Sequence, residues 1–214
     1  MSKTFLDLPL PVRKDVYTRT LNVNHPLFLF QDSTSTIKSF APDKPKEWLA
    51  LLRVNRQVGS ESCAILYMEN HFSLVETAQE QGLVQSFIRC IGKANSNSLS
   101  HLTMNFPSSD ISPAMLENDT VTADGLRNFK LLRDNCNSLR SLELLVHPDI
   151  KSTTTAREEG HDPHLETLGQ IRDILDMIPS LQRITIRAHS NSLSCQAVAQ
   201  VKRFDWALIL PENV

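Results

Sequence analysis

The sequence is poor in glycine, in cysteine and in excess charge of either sign. Six glycines in 214 residues leave little room for loops that cradle phosphates. No G-x-S-x-G, P-loop, G-x-G-x-x-G or H-E-x-x-H pattern occurs. The expectation is therefore a non-catalytic protein without cofactor or metal. Four cysteines, Cys63, Cys90, Cys136 and Cys195, are widely spaced with no C-x-x-C pair. They read as free thiols in a reducing compartment. No apolar run approaches the roughly 20 residues that span a bilayer, and the first residues lack the apolar stretch of a secretory signal. An intracellular location, cytoplasmic or nuclear, is expected. Lysines and arginines number 22 against 24 acids, a net charge of −2, so the basic excess of a nucleic-acid binder is missing. Neither nucleic acid nor membrane is an expected partner.

What is present fits a globular α/β chain. Apolar residues make up 41% and charged residues 21%. The length suits one domain, or one domain with a short appended module. Residues 11–21 read as a helix with Pro11 in its first turn, where a missing N–H costs nothing. Val12, Val16 and Leu21 are expected on one face. Residues 22–30 read as a turn and then a short strand or extended segment, followed by a polar stretch with an edge strand near Ile37. Residues 47–67 read as two helices with Gly59 near their junction, and 71–75 as a strand.

The rest of the chain carries an internal repeat. Three segments begin L-x-x-[LI]-x-[MLI], at Leu99, Leu139 and Leu181. Their anchors Leu102, Leu142 and Ile184 stand 40 and 42 residues apart, a period of stacked supersecondary units. Each segment follows an amphipathic helix: one around Leu83, Phe87 and Ile91, one around Phe129 and Leu132, one around Leu168, Ile171 and Leu175. Helix followed by strand, repeated, requires crossovers, which favours a parallel sheet. A last helix over 196–202 and a strand over 206–210 are placed to cap the sheet edge. Residues 1–70 and 71–214 are read as two regions of one continuous unit.

The first region resembles an F-box. Leu8-Pro9 precedes an amphipathic helix through Val12, Arg13, Val16 and Tyr17, and Leu51-Leu52-Arg53-Val54-Asn55-Arg56-Gln57 supplies the second half. The fuller pattern adds Glu61, Leu66-Tyr67, Asn70 and Phe72, and is similar to a large group of fungal F-box-like proteins of mostly unknown function. The L-x-x-L-x-L segments resemble leucine-rich repeats. The resemblance implies an F-box-like helical N-terminus packed on a short leucine-rich-repeat-like stack with mainly parallel strands. It also implies a protein-interaction function, with Leu8, Pro9, Val12, Val16, Leu52 and Val54 meeting the adaptor subunit of a cullin–RING ubiquitin ligase. About 30 residues, 22–48, separate the two halves, more than a compact F-box holds. A scaffold protein without a ligase role is therefore a second expectation. A third is a small enzyme using His147 and His189, which follow their repeat anchors by the same 5 residues. His161 and His164, split by Pro163, read as a solvated loop and helix start rather than a metal site.

Overall fold

The computed structural model describes residues 4–31, 36–41, 43–45, 47–74, 82–107, 120–146, 163–188, 193 and 195–210, without the side chains of 120–125 and 163–166. Seven strands form one sheet: β1 (Leu27–Gln31), β2 (Ile37–Phe40), β3 (His71–Leu74), β4 (His101–Asn105), β5 (Ser141–Val146), β6 (Arg183–Ala188) and β7 (Ala207–Ile209). Their order is β2-β1-β3-β4-β5-β6-β7. Only β2 runs antiparallel to its neighbour.

The six α-helices among the described residues are α1 (Leu10–Leu21), α2 (Arg56–Glu69), α3 (Leu83–Ser96), α4 (Thr120–Asn135), α5 (Pro163–Leu175) and α6 (Cys195–Arg203). Two 3-10 turns, Phe5–Asp7 and Trp48–Arg53, precede α1 and α2. Each helix touches the next, from α1 to α6, so the helices form a single layer in the order of the strands. A helix on the opposite face of the sheet would break that chain of contacts.

The repeat spacing becomes sheet register. Leu102 pairs with Leu142, and Leu142 with Ile184. Alternation of side chains along a strand then sorts the residues. Phe72 and Leu74, Leu102 and Met104, and Leu142, Leu144 and Val146 are buried on the helix side. Leu99 and Leu139, which open the first two repeats, are fully buried where each helix turns into its strand. The turns repeat as well. The Ser100 carbonyl accepts from the Arg140 and Ser141 amides, and the Arg140 carbonyl accepts from those of Gln182 and Arg183. One continuous core runs from Tyr17 to Trp206.

The stretch between α1 and the 48–53 turn enters the sheet. β1 lies between β2 and β3, and Leu27 and Leu29 join the core. Lys44 ties the following turn back, donating to the Thr20 carbonyl at 3.0 Å with its ammonium 5.7 Å from the Trp48 ring. The helix boundary expected near Gly59 falls earlier. Asn55 caps α2 by accepting from the Val58 amide at 2.9 Å, and Gly59 sits inside the helix. A Cβ on Gly59 would lie 2.8 Å from the Leu52 carbonyl oxygen, so the glycine lets α2 close onto the 48–53 turn.

The face expected on α1 is also different. Its buried stripe is Arg13, Tyr17 and Leu21, at i, i+4 and i+8. Val12 is exposed and Val16 half-buried, so neither shares the buried face of Leu21. The helix turned this way because Arg13, though charged, has a fixed partner inside.

Candidate interaction surfaces

The corner formed by α1, α2 and the two 3-10 turns is held by polar atoms. Arg13 makes a forked ion pair with Glu61, Nε to Oε2 at 2.9 Å and Nη2 to Oε1 at 2.7 Å. Such a paired fork suits arginine, whose planar donors match a carboxylate. Its remaining nitrogen, Nη1, donates to the carbonyls of Leu8 (2.6 Å) and Leu6 (3.3 Å), which pins the segment before α1. Tyr17 Oη donates to Glu61 at 3.0 Å, and Gln57 Nε2 donates to it at 3.0 Å. The Glu61 carboxyl is held down to about 2, first by the Arg13 hydrogen bonds and next by that of Gln57. The Tyr17 hydroxyl is pushed up by its burial and by the Glu61 carboxylate that it faces. Phe5 packs edge-on against Tyr17, ring centres 5.8 Å apart.

At the other end of α1, Asn70 is fully buried. Its side chain accepts from the Val23 amide at 2.8 Å and donates to the carbonyls of Leu21 (3.0 Å) and Leu66 (2.9 Å). It thereby satisfies backbone groups at the ends of α1 and α2 that have no partner within their own helix. Bonds from 13 to 61 and from 70 to 21 occur in the same order along both helices. The helices are therefore parallel, with their N-terminal ends side by side.

That shared end is apolar and uncovered. Leu8 and Val12 are 38% and 46% exposed, and Val54, just before α2, is 62% exposed. Pro9 is exposed too, whereas Val16 and Leu52 are half-buried and Leu52 packs against the core. The expected anchor set thus divides: Leu8, Pro9, Val12 and Val54 face outward, and Leu52 belongs to the packing beneath. Leu6 and Leu10, which sequence reading did not single out, are also exposed at this end. The i, i+4, i+8 spacing of Arg13, Tyr17 and Leu21 competes in the sequence with Val12 and Val16 at i, i+4, and the Arg13–Glu61 pair decides which side of α1 turns outward.

A second surface is the sheet face away from the helices. Its side chains fall in rows across the strands. One row runs His71, His101, Ser141, Arg183; the next runs Phe28, Ser73, Thr103, Glu143, Thr185. Thr103 Oγ1 donates to Glu143 Oε2 at 3.2 Å. Having spent its only proton there, Thr103 accepts from His71 Nε2 at 2.7 Å, which fixes the proton of His71 on Nε2. Arg187 Nε donates to the other oxygen of Glu143, and His101 Nδ1 lies 2.7 Å from Ser141 Oγ. Both imidazoles hold protons less readily than usual. Burial is the main cause; for His101 the nearby Arg140 charge adds to it.

His147 and His189 lie outside the described residues, as do His161 and the loops after β4 and β5. Among the described residues, no three His, Cys, Asp or Glu side chains are grouped to hold a metal ion. No helix of the described residues is long and apolar enough to cross a membrane. Cys63 is half-buried in α2, Cys90 and Cys195 are exposed, and Cys136 is buried just past α4, with its thiol pushed up to about 12 by that burial. Arg183 and Arg187 stand on the open sheet face, whereas Lys202 and Arg203 end α6. No protein-family model matches the chain, and no curated protein matches it.

Proposed function

We propose that this chain is a non-catalytic protein-interaction protein: an F-box-like helical corner packed on a leucine-rich-repeat-like stack, with the corner docking on the adaptor subunit of a cullin–RING ubiquitin ligase. The observation that carries the reading is the apolar end of the α1–α2 pair. Leu6, Leu8, Leu10, Val12 and Val54 stand 38–62% exposed on a corner clamped by Arg13 and Glu61. Apolar side chains gathered on a rigid helical end suit burial in a partner's groove, because little ordering entropy remains to be lost on docking. The sheet supplies a second, extended surface for another partner.

A scaffold role without a ligase is the second reading, and β1 and β2 favour it. An F-box without that insertion is a compact helical unit, whereas here the segment between the halves is built into the sheet. Co-purification with the adaptor subunit separates the two, using wild type, Val12→Asp and Val54→Asp, each first checked for an unchanged melting transition. The adaptor reading expects a 1:1 complex that both substitutions abolish. No complex with wild type, or a complex indifferent to both substitutions, leaves the scaffold reading in its place.

A further inference from the structure

The open sheet face is organised as two banks with a low middle. At one bank stand three phenylalanines, Phe28 and Phe30 of β1 and Phe40 of β2, exposed at 47%, 43% and 57%. Phe28 and Phe40 are direct cross-strand partners, and Phe30 is on the same side of β1. Exposed aromatic side chains grouped on one strand pair are unusual on a surface with no partner. In the middle, Ser73 and Thr103 are short and nearly covered by their neighbours. At the far bank, Arg183 and Arg187 of β6 are exposed, with exposed Arg140 in the turn just before β5, its charge acting on His101 of this face. Arg187 is occupied by Glu143. The guanidinium groups of Arg140 and Arg183 make no ion pair or side-chain hydrogen bond among the described residues.

We propose that this face binds an extended acidic segment of a partner protein, lying across the strands, with apolar side chains on the three phenylalanines and carboxylates at Arg183 and Arg140. The proposal names the chemistry of the sheet's partner within the interaction-protein reading, and does not depend on the ligase adaptor. Charge decides between polymers. A nucleic-acid strand carries a phosphate at every step and would have to pass Glu143 in the centre of the face. A peptide can set a neutral residue over Glu143 and keep its acids for the arginine bank. A chain of net charge −2 offers a nucleic acid little else.

Geometry fixes the spacing of the motif. From β1 to β6 there are four strand-to-strand steps, β1-β3-β4-β5-β6. At ~4.8 Å each they cover about 19 Å, which an extended peptide crosses in about six residues. The apolar and acidic parts of the segment should therefore be about six residues apart.

The test uses the full chain and an array of labelled peptides. Each has Leu-Phe at one end, a randomised uncharged spacer, and Asp-Glu at the other; spacers run from one residue to about ten, and a matched set carries Lys-Lys in place of the acids. The expected result is saturable binding of acidic peptides that peaks near the six-residue spacing and weakens with salt. Arg183→Glu and Phe28→Ser, each with an unchanged melt, should weaken it at least tenfold, while adaptor co-purification stays as in wild type. Equal binding of the lysine set, no spacing preference, no binding of any acidic peptide, or stronger binding of a single-stranded RNA homopolymer overturns the proposal. Loss of adaptor binding in Val54→Asp with peptide binding retained would keep the two surfaces distinct.

Discussion

In the corner of α1 and α2, polar atoms tie one helix to the other. Arg13, Tyr17, Glu61 and Asn70 turn inward and bond to one another or to carbonyls and amides that would otherwise be stranded. In the stack from Leu99 onward the reverse holds. Leu99, Leu102, Leu139, Leu142 and Leu144 fill the interior, and histidine, threonine, glutamate and arginine occupy the other face of the strands. The comparison separates two meanings of a recurring residue. In the stack the repeated leucines are core, each contributing about 1.5–3 kcal/mol by burial. In the corner the polar residues of the pattern are the structural ones, and Leu8, Val12 and Val54 stay exposed outside the core.

The largest break in this comparison comes from the stack. Leu142→Ala removes a side chain that is 1% exposed and stands in register between Leu102 and Ile184. It leaves a cavity at the centre of a close-packed sheet. The expected loss is about 2–5 kcal/mol, read as a fall in melting temperature of roughly 5–15 °C by calorimetry. A fall of only a degree or so would mean that the repeat leucines are not the common core of the stack.

That pairing also marks how much was legible in the chain. Period, alternation and helix faces placed β4, β5 and β6 and the helices before them, because apolar burial leaves a local trace at every second or fourth residue. Leu102 over Leu142 over Ile184 follows directly from spacings of 40 and 42. The corner was legible only as a pattern. Arg13 and Glu61 are 48 residues apart, and a charged residue on a helix reads as solvated until its partner is found. The outward turn of Val12 follows from that pair, so it was missed with it. The place of β1 in the sheet was hidden for a similar reason: nothing in 27–31 marks it as lying between β2 and β3.

A smaller effect sharpens the polar half of the comparison. Glu61→Gln keeps an acceptor for Tyr17 and Arg13 but loses the charge. In the folded chain the Glu61 carboxyl is held at about 2, against an ordinary 4.5. A depressed value stabilises the fold above the ordinary value, and that contribution disappears as pH falls toward the folded value. Wild type should therefore be more stable than Glu61→Gln at neutral pH, with the difference shrinking between pH 4.5 and about 2. Melting curves of both proteins across this range read the result. A gap that stays constant down to pH 2 would mean that the charge of Glu61 is not what holds α1 to α2.

The smallest effect is the most informative about function, and two valines four residues apart supply it. Val58 is 2% exposed and packed in the core, whereas Val54 is 62% exposed and outside it. Val58→Ala should cost about 2 kcal/mol, since it removes buried carbon atoms. Val54→Asp should change stability by less than about 0.5 kcal/mol, although it exchanges a methyl pair for a charge. Equal denaturation midpoints for wild type and Val54→Asp, beside a clear shift for Val58→Ala, would leave Val54 without a structural task. An apolar residue without one, at the same end as Leu6, Leu8, Leu10 and Val12, is then free for the docking contact proposed above. If Val54→Asp unfolds the chain as readily as Val58→Ala, the apolar end is part of the core after all, and the docking surface at the corner has no basis.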